Sequence, residues 1–126
     1  MHTKNQLIEM KSEHDQWQNK ITFYRDEIKQ LNRDLALVAS PRAPKEVMAS
    51  VEHFQNQFIR QREVLDIIRH EFKEHENLIE KLETDRVSEP DEIIKKMHTT
   101  QRDKIDQFEK IFNDLRGEFN IFLDKG

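Results

Sequence analysis

Apolar or near-apolar residues return three and then four positions apart, without interruption, in three successive runs of the chain. This heptad spacing dictates long helices that each bury one narrow stripe. The first stripe is Leu7, Met10, His14, Trp17, Ile21, Tyr24, Ile28, Leu31, Leu35 and Val38. The second is Val47, Val51, Phe54, Phe58, Gln61, Leu65, Ile68, Phe72, His75, Ile79 and Leu82. The third is Ile94, His98, Gln101, Ile105, Phe108, Phe112, Leu115, Phe119 and Phe122.

Punctuation divides the runs. Ser40-Pro41-Arg42-Ala43-Pro44 cannot continue a helix, because proline lacks a backbone donor and disfavours helical geometry in the residue before it. Thr3 with Gln6, and Ser88 with Asp91, match capping boxes, and Pro44 and Pro90 suit the first turn of the helices that follow. The expected helices cover about 4–39, 44–84 and 89–123. Connections this short force antiparallel neighbours. The chain therefore reads as one all-α domain, an elongated up-down-up three-helix bundle with coiled-coil-like seams and a left-handed twist. Gly117 interrupts the third run, marking either a close approach by a neighbour or an exposed position.

Composition agrees. Of 126 residues, 35% are hydrophobic and 37% charged, with only 2 Gly and 3 Pro, which excludes the turn-rich sandwiches, barrels and doubly wound sheets. A net charge of −4 and a pI near 5.9, with no run of four basic residues, exclude a nucleic-acid footprint and a polybasic membrane patch. The longest uninterrupted apolar stretch, Leu35 to Ala39, is far short of the roughly 20 residues a membrane span needs. The chain has no cysteine and its opening residues lack the apolar segment of a secretory signal, so a cytoplasmic location is expected.

The stripes turn polar at one height. If Val38 faces Val51, partners in the first two helices have numbers adding to about 89, and partners across the second turn to about 173–176. His14 then meets His75, and His75 lies level with His98 and Gln101. Three imidazoles in one layer suit Zn²⁺ or another transition ion, with Glu13, Glu71 or Glu76 as a further ligand or as partners that orient the rings. The alternative is a polar layer that fixes register; Gln61, in the middle of its own stripe, reads either as such a register device or as a partly exposed position. His70 and His75 resemble a metalloprotease signature, but they are five residues apart rather than four and cannot share a face. The di-iron bundle pattern fails as well, with Phe72 and Lys95 where glutamates belong.

With no complete catalytic constellation, no enzymatic activity or bound cofactor is expected. The leading reading is a helical interaction or scaffold protein with a protein partner or a second copy of itself. Phe23 and Ile67 fall outside the seams at nearly the same height and, with Ile59, form its candidate contact surface, unless a three-helix core, wider than a two-stranded seam, absorbs them. The alternative is a metal-binding or metal-sensing bundle using His14, His75 and His98.

Overall fold

The chain is an all-α bundle of three helices in a computed structural model that describes residues 2–85 and 90–125, with side chains from Gln6 onward. They are α1 (His2–Val38), α2 (Lys45–Thr84) and α3 (Glu92–Lys125), of 37, 40 and 34 residues. No described helix is long and apolar enough to cross a membrane. The first turn forms where expected. Ser40 accepts the N–H of Ala43 on its carbonyl at 3.0 Å and that of Arg42 on its hydroxyl at 3.2 Å, and Pro44 takes the position just before α2, with φ −58° and ψ 153°.

The start of α3 differs from expectation. The helix begins at Glu92, because the Asp91 carboxylate accepts the N–H of Ile94 at 2.9 Å and is itself the cap. A carboxylate there also meets the positive end of the helix dipole. Pro90 consequently precedes the helix instead of entering its first turn. Ser88 and the Thr3 side chain, the two other expected caps, lie outside the described residues.

Heptad spacing becomes burial almost residue for residue. From Met10 to Leu35, Val51 to Ile79 and Ile94 to Phe119, every stripe position is buried, and only the terminal members Leu7, Val38, Val47, Leu82 and Phe122 are partly open. The main core runs from Trp17 and Phe72 to Leu35, Val51 and Phe119, and is aromatic toward the Val51 end, where Phe119 meets Phe54 and Phe58 edge to face at 5.1 Å each. A second, smaller core of Met10, Ile79 and Ile94 closes the other end of the bundle. Gly117 is exposed, and a Cβ added there would meet no atom within 4 Å, so it marks no close approach within the chain.

Contacts between α1 and α3, which run parallel, are stapled by ion pairs one heptad apart. Glu13 pairs with Arg102 at 2.7 Å, Lys20 with Glu109 at 2.8 Å and Glu27 with Arg116 at 3.6 Å. Tyr24 donates its hydroxyl to Glu109 at 2.7 Å. Across the antiparallel boundaries, Lys11 reaches Glu83 at 2.8 Å and Lys104 reaches Glu71 at 2.6 Å.

Candidate metal centre

Each helix contributes one imidazole to the gap between the two cores. His14 follows Met10 on the α1 stripe, His75 precedes Ile79 on α2, and His98 follows Ile94 on α3, so all three must turn inward. They are 4, 1 and 3% exposed. One ring nitrogen from each lies within 4.8 Å of the other two. His14 and His98 stack at 5.6 Å with planes 5° apart, and His14 lies 4.8 Å from both His75 and Phe72. Trp17 covers the layer, 4.7 Å from the His98 ring.

Hydrogen bonding within the layer is incomplete. His75 Nε2 and His98 Nδ1 share a proton at 3.1 Å, and His98 Nε2 lies 3.0 Å from Glu13 Oε1. Both nitrogens of His14, and Nδ1 of His75, are buried without a hydrogen-bond partner among the described residues. Buried polar atoms are nearly always paired, so three such nitrogens in one place call for an explanation.

Electrostatics follow from the packing. Burial, reinforced by His75 and His98, pushes the His14 imidazole down to about 3, although Glu13 opposes the shift. Burial, with His98 alongside, brings His75 down to about 4. The Arg102 guanidinium, donating to both carboxylate oxygens at 3.0 and 2.7 Å, holds Glu13 below the usual carboxylate range, and the hydrogen bond to His98 adds to this. Neutral imidazoles beside a fixed carboxylate are the state that ligates divalent transition ions. A tetrahedral zinc site with bonds of 2.0–2.1 Å holds its donors about 3.3–3.4 Å apart. The His75–His98 contact, at 3.1 Å, is close to that spacing, and the three donor atoms all lie within 4.8 Å of one another.

Other residues fall outside the layer. Gln101, level with it, turns its amide to the Ile68 carbonyl at 3.1 Å. Glu71 is engaged by Lys104, and Glu76 belongs to an outer cleft with Arg69, Phe72 and Lys73, so among these three Glu13 is the carboxylate that reaches an imidazole of the layer. His70 is exposed and pairs with Glu74 at 3.1 Å, which removes it from any face shared with His75. Phe23, Ile59 and Ile67 are 49, 56 and 60% exposed. Phe23 lies against Tyr24 on α1, while Ile67 flanks the groove between α2 and α3 beside Val64 and Ile111.

Comparison of the chain with protein-family models, with curated proteins and with solved structures finds no match.

Proposed function

We propose that the chain is a non-enzymatic metal-binding bundle that takes one Zn²⁺ or similar transition ion between His14, His75 and His98. One observation carries the reading: three buried imidazoles, one from each helix, bring donor nitrogens within 4.8 Å of one another, and three of their nitrogens lack partners among the described residues. A neutral imidazole carries one N–H and one lone pair, and the His14 lone pair, which meets no protein donor among the described residues, is what a metal ion would take. An ion there ties all three helices together, so occupancy is coupled to the stability of the whole fold.

Tag-free protein titrated with Zn²⁺ against a chromophoric chelator is expected to take up one ion per chain. At free zinc about a thousandfold above Kd, stabilisation reaches about 4 kcal/mol, visible as a rise in melting temperature. His14→Leu and His75→Leu each abolish both effects, while His53→Gln and His70→Gln, which change exposed rings, leave them intact. A wild type that binds no zinc, or a His75→Leu variant that binds it equally well, overturns the reading.

A second reading, self-association of the rod, is supported by a different observation. Ile67 and Ile111, 60 and 45% exposed, border the α2–α3 groove, and Ile59 stands two turns away on the same helix at 56%. A second copy that covers this face satisfies the symmetry most common in homo-oligomers. Sedimentation equilibrium is then expected to give twice the 15.3 kDa chain mass for the wild type and a single chain for Ile67→Glu with Ile111→Glu. A wild type of single-chain mass rules this association out.

A further inference from the structure

We propose that Glu13, fixed in place by Arg102, is the positioning residue of the metal site, setting the His98 tautomer so that the ion is ligated through His98 Nδ1. This rests on the metal reading above and adds to it which nitrogen binds and what prepares it.

The assignment follows from the hydrogen-bond chain. Arg102 donates from Nε to one Glu13 oxygen at 3.0 Å and from a terminal nitrogen to the other at 2.7 Å. A carboxylate held this way stays ionised and can only accept. His98 Nε2, 3.0 Å from the Glu13 Oε1 atom, is therefore the donor. In neutral His98 that leaves Nδ1 with a lone pair, so across the 3.1 Å contact His75 donates from Nε2. His75 Nδ1 is then the nitrogen left with a lone pair, and it is one of the three buried nitrogens without a partner. One carboxylate on α1 thus orders the protons on two rings belonging to α2 and α3.

Consequences for ligation are specific. The Nε2 face of His98 is occupied by Glu13 and turned toward the outer cleft lined by Gln6, Glu9, Lys95 and Arg102. Its Nδ1 face looks into the layer. A metal ion that takes the His98 Nδ1 lone pair would break the hydrogen bond from His75 Nε2, and each ring keeps its single proton, so these rings release no net proton. Carboxylate–histidine–metal arrangements of this kind fix ring orientation and raise ligand basicity, and losing the carboxylate typically costs about 10–100-fold in metal affinity.

Long-range ¹H–¹⁵N correlation spectra of ¹⁵N-labelled protein read the tautomer before any metal is added. At neutral pH the wild type is expected to show His98 with Nε2 protonated and Nδ1 bare, and Zn²⁺ is expected to shift Nδ1. Glu13→Gln should mix the two His98 tautomers and weaken zinc about 10–100-fold in the chelator competition. Glu13 is partly exposed, so helix content by circular dichroism should be unchanged. A wild-type His98 protonated on Nδ1, a zinc-induced shift on Nε2, or Glu13→Gln affinity within about twofold of the wild type overturns the assignment while leaving the metal reading standing. Failure of the wild type to bind zinc at all overturns that reading, and this one with it.

Discussion

Replacing His14, His75 and His98 together by leucine is expected to raise the melting temperature of the metal-free protein, by on the order of 10 °C at pH 7. A buried polar atom left without a partner costs about 1–3 kcal/mol, and three lie in this layer. Leucine nearly matches imidazole in volume and joins the Trp17–Phe72 core to the Met10–Ile79–Ile94 core. Glu13 is not orphaned by the change, because it keeps Arg102. The variant should be more stable and unable to take up zinc, the trade-off expected where a binding site has been kept at the expense of the core. A triple variant that melts below the natural chain would mean that the imidazoles hold the helices together in their own right.

Acid should destabilise the natural chain well before its surface carboxylates titrate. Folded His14 and His75 are held near 3 and 4, against 6.5 for a free imidazole. Between those values the unfolded chain binds protons that the folded chain refuses. Their contribution is therefore complete above about pH 6.5 and is lost as pH falls toward the folded values. Each pH unit below 6.5 removes about 1.4 kcal/mol per imidazole, so two rings at pH 4.5 remove roughly 5 kcal/mol and on the order of 15 °C of melting temperature. Circular dichroism melts between pH 7.5 and 4.5 test this, with the triple-leucine variant nearly flat down to pH 5. A natural chain equally flat over that span would show that its rings charge as readily folded as unfolded.

Most of this architecture is legible in the residues because a heptad stripe and a five-residue proline break each have one physical interpretation. The stripes gave burial from Met10 to Phe119, and antiparallel pairing across short turns brought His14, His75 and His98 to one height. Two things stayed hidden. An aspartate can stand at the cap or three residues beyond it, and only the backbone path decides that the Asp91 carboxylate meets the Ile94 N–H. The Glu13–Arg102 contact depends on which flank of α1 faces α3, which is set by the direction in which the three helices turn about the bundle axis. Heptad spacing is the same for either direction. The usable signal was charge: Glu13, Lys20 and Glu27 each precede an α1 stripe residue, and Arg102, Glu109 and Arg116 each follow one on α3, with opposite signs in the same order.

That alternation of sign limits where α3 can come to rest. Sliding it by one heptad in one direction sets Glu13 against Glu109 and Lys20 against Arg116; sliding it in the other sets Lys20 against Arg102 and Glu27 against Glu109. Apolar stripes with a seven-residue repeat tolerate such a slip, since one apolar layer resembles the next. Partly exposed ion pairs like these contribute on the order of 1 kcal/mol each to the native fold, yet every misaligned packing exchanges attraction for repulsion at the same positions. The three pairs therefore act chiefly on the competing structures, widening the energy gap between one alignment and its neighbours. They keep the three histidines, which only one alignment brings level, from being drawn out of the same layer.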